Sequence, residues 1–249
     1  MENISKTYIM IADAHLTGGN AERDLFETLK TISGLPCSCA VVFLGDIFEI
    51  WIGTSQYEME NHRIFMEWCR NEKSRGRELI FTEGNHEFLI SKRRDRLFSA
   101  ASRSDIRRGK ILFTHGDRIN RKDFPYLLLR IALRNWIARI LLFIAGFTFG
   151  PALSHRIVKG LKGANLAHKK HLPEDQIRKY MKRAEKQGIR TIFAGHFHGQ
   201  HDLMQDGVAF HALPAFLNGR EIGIYHTENE NFQIIKCNDL KENTGEHIL

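Results

Sequence analysis

The sequence predicts a single α/β domain, and three observations predict it. Short apolar runs alternate with helix-like segments along most of the 249 residues. Five clusters of Asp, His and Asn each follow directly on an apolar run. The composition, 43% hydrophobic and 26% charged, is that of a chain with one sizeable core rather than a disordered one.

The elements follow in order. Tyr8–Ala12 is uninterrupted apolar sequence and reads as a short buried strand. Arg23–Ile32 reads as a helix. Ala40–Leu44, again apolar throughout, is a second buried strand. His62–Lys73 reads as a helix and Glu78–Thr82 as a third strand. Lys110–Thr114 is a fourth. Pro173–Gln187 reads as a helix opened by proline, with Glu174 and Asp175 behind it at the positive end of the helix dipole. Thr191–Ala194 is a fifth strand. Beyond Gly207 the segments Val208–His211, Ile222–His226 and Phe232–Ile235 alternate as antiparallel strands do.

One segment departs from this rhythm. From Phe124 to Pro173 there is no Asp or Glu, although the chain holds 29 of them. The same segment carries Arg130, Arg134, Arg139, Arg156, Lys159, Lys162, Lys169 and Lys170 among large apolar residues. It reads as a helical lid, inserted at about residues 120–172 of a domain that spans 1–249. Its longest uncharged run, Ile140–Leu153, is broken by Gly146, Gly150 and Pro151 and falls short of the ~20 apolar residues of a spanning helix. A basic amphipathic segment with Trp136, Phe143, Phe147 and Phe149 suits an anionic membrane interface or a pocket for acyl chains.

The net charge of +7 favours an anionic partner. No interleaved aromatic and basic surface lies outside the lid, which speaks against nucleic acid. Cys37, Cys39, Cys69 and Cys237 include no CxxC pair, and the reading is reduced thiols in a cytoplasmic protein. The N-terminus lacks the basic region of a secretory leader.

The chemistry sits in the five clusters: Asp13-Ala-His15, Gly45-Asp46-Ile-Phe-Glu49, Gly84-Asn85-His86-Glu87, His115-Gly116-Asp117 and Gly195-His196-Phe-His198. The carboxyl ends of strands in an α/β sheet share one edge, so residues in the loops there converge. The donors are carboxylate, imidazole and amide oxygen, a mixed set that suits Mn²⁺, Fe or Zn²⁺ and excludes a thiolate site. Seven candidate ligands, Asp13, His15, Asp46, Asn85, His115, His196 and His198, exceed what one ion takes and fit two. Two ions ~3.5–4 Å apart bind phosphoryl oxygens and bring the pKa of a bound water toward neutrality.

The ordered set D-x-H, G-D, G-N-H-[DE], H and G-H-x-H resembles the calcineurin-like metallophosphoesterases. That resemblance implies two mixed β-sheets packed as a sandwich and flanked by helices. It also implies a pair of divalent ions, Mn²⁺ foremost. Asp13, His15 and His198 would hold one ion, Asn85, His115 and His196 the other, with Asp46 bridging. His86 would stand outside the metal shell, to stabilise the transition state or protonate the leaving oxygen.

A narrower likeness rests on Leu44–Gly53, Gly84–Leu89 and His115–Asp117 with Asp123 and Tyr126 behind them. These resemble the UDP-2,3-diacylglucosamine pyrophosphohydrolases, over roughly residues 7–200. The likeness implies cleavage of the diphosphate of a UDP-linked diacyl sugar, to a lipid monophosphate and UMP, in lipid A biosynthesis. The enzyme would work at the cytoplasmic face of the inner membrane, with no obligate protein partner. Asn85, His86, Asp123, Asn165, His168, Lys169 and His196 would touch the substrate, and Asp46 and His86 would carry the chemistry. That family commonly has Arg where this chain has His86. Two other readings stay open: a soluble metallophosphoesterase for another phosphodiester, nucleotide or phosphomonoester, and a scaffold that keeps the fold without the chemistry.

Overall fold

The computed structural model describes residues 7–90, 94–120 and 172–240. The lid residues 121–171 lie outside these, and Asp123, Asn165, His168 and Lys169 with them.

Thirteen strands and five α-helices make up the described fold. The first sheet is built on β1 (Thr7–Ile11), β2 (Cys39–Phe43), β4 (Leu79–Thr82) and β6 (Ala100–Ser102), all parallel. The antiparallel strands β12 (Glu221–His226) and β13 (Asn231–Lys236) complete it on the β1 side, giving the order β13-β12-β1-β2-β4-β6. The second sheet has β8 (Ile111–Thr114), β9 (Thr191–Ala194) and β11 (Val208–Ala212) in parallel. It is edged by antiparallel β7 (Ile106–Arg108) and β10 (His201–Gln205). A parallel pair, β3 (Trp51–Ile52) with β5 (Glu87–Phe88), stands apart.

The period of two along each strand sorts side chains into layers. Ile9, Ile11, Val41, Phe43, Leu79 and Phe81 face outward onto α1 (Asn20–Ser33) and α2 (Glu60–Ser74), where Leu25, Leu29, Ile32, Phe65 and Cys69 meet them. The alternate residues Tyr8, Met10, Ala40, Val42 and Ile80 face inward and pack on Phe113 and Phe193 of the other sheet. Leu112, Ile192, Ala194 and Phe210 face outward again onto Ile177 and Met181 of α4 (Glu174–Glu185). The result is the helix–sheet–sheet–helix sandwich expected from the sequence. It also explains why the central strands read as unbroken apolar runs: both faces of each are buried.

Two short helices remain, α3 (Arg94–Leu97) and α5 (Phe216–Gly219). Several observed bounds move by one to three residues, as at α1, which starts at Asn20, and at α4, where Pro173 is the N-cap. The sequence reading had no place for β3, β5, β6, β7 or β10. Two of these are two residues long, and β10 is a polar, largely exposed edge. Among the described residues no helix is long and apolar enough to cross a membrane. All four cysteines are free thiols.

Candidate metal centre

The loops after β1, β2 and β4 leave the first sheet at the same edge as the loops after β8 and β9 leave the second. The first three interlock. Asp13 N donates to Gly45 O (3.1 Å), His15 N to Asp46 O (3.0 Å) and Leu16 N to Ile47 O (3.0 Å), prolonging the β1–β2 pairing beyond the strands. The sheets are joined at the site itself, where His196 N donates to Asp13 Oδ2 at 2.7 Å. Asp13, His15, Asp46, His196 and His198 all adopt left-handed backbone conformations, with φ of 51, 44, 52, 70 and 58°. Such residues are uncommon, though Asp and His tolerate the region better than most, and they concentrate where function holds them. Two glycines let the loops close. A Cβ at Gly45, whose φ is +87°, would lie 2.7 Å from both Gly84 N and His115 Nδ1, and one at Gly84 would lie 2.6 Å from Asp46 N.

Every candidate metal residue named from the sequence, and His86, is brought to this edge. Asp13, His15 and His198 form one group whose ligand atoms lie within 4.8 Å of one another, and Asp46, His115 and His196 form a second. Within the first, His198 Nε2 stands 3.2 Å from Asp13 Oδ1 and 3.4 Å from His15 Nε2. Within the second, His115 Nε2 is 3.4 Å from Asp46 Oδ2 and 3.2 Å from Asn85 Oδ1. Asp46 Oδ2 also reaches His15 Nε2 at 3.9 Å, so one carboxylate oxygen faces both groups. Asp13 Oδ1 and Asp46 Oδ2 are buried and make no hydrogen bond.

The imidazole tautomers test whether cations fit. His115 Nδ1 lies 2.7 Å from Leu44 O and must donate to it. The neutral ring then turns a lone pair at Nε2 toward two oxygen acceptors. Such a set of converging lone pairs is stable only with a proton or a cation among them, and the mixed O/N donors suit a divalent transition metal. In the metal-free chain protons serve. Burial pushes His115 down, but the charge of Asp46, to which only a protonated Nε2 would donate, outweighs burial and raises it. His15 is raised likewise against burial by Glu49, Asp46 and Asp13. Burial pushes the Asp13 carboxyl up, yet His198 and His115 hold it at about 2. Burial is likewise overcome at Asp46, which the charges of His115 and His86 keep well below the usual carboxylate range.

Three further side chains orient the site. Glu49 Oε2 faces His15 Nδ1 at 3.3 Å, the carboxylate–histidine arrangement that presents Nε2 to a metal. Glu49, His15 and His86 are close enough to form a third group of ligand atoms. The His15–Glu49 pairing makes that group a support for the first one. Glu49 O accepts from His86 Nδ1 at 2.6 Å, so His86 turns Nε2 toward Asp46 Oδ2, 4.0 Å away. Glu87 is fully buried and accepts from Asp46 N, Ile47 N and Gly84 N at 2.7–2.8 Å, tying the loop after β2 to the loop after β4. The sequence reading left Glu87 without a role; its place one residue after the Asn-His pair was the available signal. His211 and His226 pair with Asp202 and Thr7, none of them a candidate ligand.

The sequence profile of the calcineurin-like phosphoesterases matches residues 7–200. The chain is 27% identical over 207 residues to the UDP-2,3-diacylglucosamine hydrolase of Salmonella arizonae, covering 80% of this chain and 82% of that one. With the enzyme of the same name from Pseudomonas paraeruginosa it shares 29% identity over 186 residues, 68% of this chain and 72% of the other. Among solved structures it is similar to an archaeal phosphodiesterase at 12% identity and a TM-score of 0.47, covering 92% and 98% of the two chains. The family profile takes in all five loop clusters and both sheets' contributions to the site. The chain belongs to the calcineurin-like phosphoesterase family and is a metal-dependent hydrolase.

Proposed function

We propose that this chain hydrolyses the diphosphate of UDP-2,3-diacylglucosamine, yielding 2,3-diacylglucosamine 1-phosphate and UMP. The observation that carries a phosphoryl-transfer reading is the position of Asp46 Oδ2, unbonded, buried and facing both ligand groups. The substrate rests on relatives of that name, which align with up to 80% of the chain. Asp13, His15 and His198 would hold one ion and Asn85, His115 and His196 the other, with Asp46 beside both groups, and Mn²⁺ would be the metal. A pair of divalent ions there supplies positive charge to the phosphoryl oxygens and a water acidic enough to attack phosphorus near neutral pH.

The chain's own groups do the rest. Asp46 and Asp13 stay ionised at neutral pH. His86, fixed through Nδ1 on Glu49 O, presents Nε2 to a phosphoryl or leaving oxygen. Asn85 and His196 adjoin the same phosphate. The hydroxyl of water stays on the attacked phosphorus and its proton goes to the leaving phosphate oxygen. The inserted segment, with Asp123, Asn165, His168 and Lys169, takes the sugar, diphosphate and acyl chains, and its Lys and Arg residues meet the anionic inner membrane. A second reading, hydrolysis of another phosphodiester, draws on His86 standing where the narrower family commonly has Arg.

The test is hydrolysis of diacylated UDP-glucosamine in detergent micelles with Mn²⁺, Zn²⁺ or Mg²⁺, in ¹⁸O-water with products assigned by phosphorus NMR. We expect UMP and the lipid monophosphate, with turnover abolished in Asp46→Ala. Equal cleavage of a soluble nucleotide diester would overturn the lipid reading and leave the second.

A further inference from the structure

We infer that His62, a buried histidine of α2 outside the candidate ligand set, is a positioning residue for His86 and His15. It acts through the backbone of Glu49, Ile50 and Trp51. The inference rests on the reading above only in taking His86 and His15 as working groups of the site.

His62 has both ring nitrogens engaged. Its Nδ1 accepts from Met59 N at 3.1 Å, so that nitrogen carries no proton. Its Nε2 must then carry the proton, and it donates to Ile50 O at 3.1 Å. The ring is 1% exposed, stacks on Trp51 at 5.7 Å and 22°, and meets Phe48 edge-on at 4.5 Å. One neutral tautomer is thus fixed by the α2 N-terminal turn on one side and by residues 49–51 on the other.

Those three residues connect to the site at four points. Glu49 O accepts from His86 Nδ1 at 2.6 Å. Trp51 N donates to His86 O at 3.0 Å. Glu49 Oε2 faces His15 Nδ1 at 3.3 Å. Glu49 N donates to Leu16 O at 3.3 Å, one residue beyond His15. Two of the groups that fix His86 therefore belong to a segment whose middle carbonyl is held by His62. Of residues 49–51 only Trp51 belongs to a strand, the two-residue β3, paired with the equally short β5. So little regular pairing leaves the aim of the two imidazoles dependent on what else grips the segment. Misplacement of reacting groups by about 1 Å is worth on the order of a hundredfold in rate.

The experiment compares the full-length parent with His62→Phe, which keeps the packing and loses both hydrogen bonds, and His62→Gln, which keeps a donor for Ile50 O. Long-range proton–nitrogen NMR on the metal-free and Zn²⁺-loaded proteins reads each imidazole's tautomer. Steady-state kinetics use bis(p-nitrophenyl) phosphate alongside the diacyl UDP-sugar. We expect the parent to show His62 protonated at Nε2 and His86 at Nδ1. We expect His62→Phe to lose the single His86 tautomer and, at saturating metal, to fall about tenfold to a hundredfold in kcat with KM within about twofold. His62→Gln should recover most of both. A fall in kcat with the His86 signal intact would overturn the inference, as would an unchanged kcat in a folded His62→Phe. Should neither variant fold, a parent His62 protonated at Nδ1, or charged, overturns it alone. Failure of the lipid substrate in the parent bears only on the function proposed above, since the NMR readouts do not involve it.

Discussion

The acceptor that Glu49 offers His15 is the smallest unit on which the site depends. An imidazole can bind a metal through Nε2 only when Nδ1 holds the proton, and a carboxylate opposite Nδ1 favours that tautomer while fixing the ring. Glu49→Gln keeps the shape and removes the charge. We expect metal affinity to fall about tenfold to a hundredfold, read by competitive titration, with secondary structure unchanged. An unaltered affinity would remove Glu49 from the orienting shell. At this scale the spacing of Asp13 with His15 and of His196 with His198 was legible, because each pair is a side-chain identity at a fixed offset. Glu87 was not, because its three partners are backbone N–H groups, which carry no residue name.

At the scale of elements, Arg77 holds the helix layer to the first sheet. It is 1% exposed, pairs with Glu72 through Nε at 2.6 Å, and donates to Ile32 O, Leu35 O, Pro36 O and Cys39 O at 2.8–3.0 Å. One guanidinium thus satisfies carbonyls at the end of α1, in the following loop and at the start of β2. Arg77→Met takes the guanidinium from those acceptors, of which Ile32 O and Pro36 O keep the backbone donors Leu35 N and Cys39 N, and leaves Glu72 with Arg75 as its remaining ion-pair partner here. Breaking a buried pair of this kind costs about 3–5 kcal/mol, which equilibrium urea unfolding would register as a lower midpoint with an unchanged slope. A shift under about 1 kcal/mol would mean water enters to replace the guanidinium. Nothing in the sequence singled out Arg77, since an arginine after a helix reads as solvated. Strands covered on both faces were legible as apolar runs. Ala100–Ser102 and Ile106–Arg108 were not, because three residues of mixed polarity carry no period.

For the whole molecule, the site couples stability to pH in a direction that metal reverses. The ordinary value for His15 and His115 is 6.5, and both are raised in the folded chain. Their protons stabilise the metal-free fold fully below that value, and the contribution is lost as pH rises through the raised folded values. Asp13 and Asp46 work at the other end: their contribution is present above 3.8 and lost as pH falls through the folded values, about 2 for Asp13. The metal-free protein should therefore melt at a lower temperature at about pH 8.5 than at about pH 6. Saturating Zn²⁺ should cancel or invert that trend, because the ion displaces these protons and binds more tightly as pH rises. Scanning calorimetry with and without chelator reads both, and a pH-independent difference between the two would contradict the exchange of protons for metal. The sandwich itself was legible because five ligand-bearing loops needed five strand ends at one edge. Its two-sheet division came from the family likeness, since periodicity does not say which strands pair.

The left-handed aspartates and histidines have a consequence for how such a chain changes over generations. A non-glycine residue in that conformation costs about 1–2 kcal/mol relative to glycine. At Asp13, His15, Asp46, His196 and His198, mutation to glycine would relax the backbone while deleting the donor. Selection on folding alone would favour glycine at these five positions, and only what their side chains bind weighs against it.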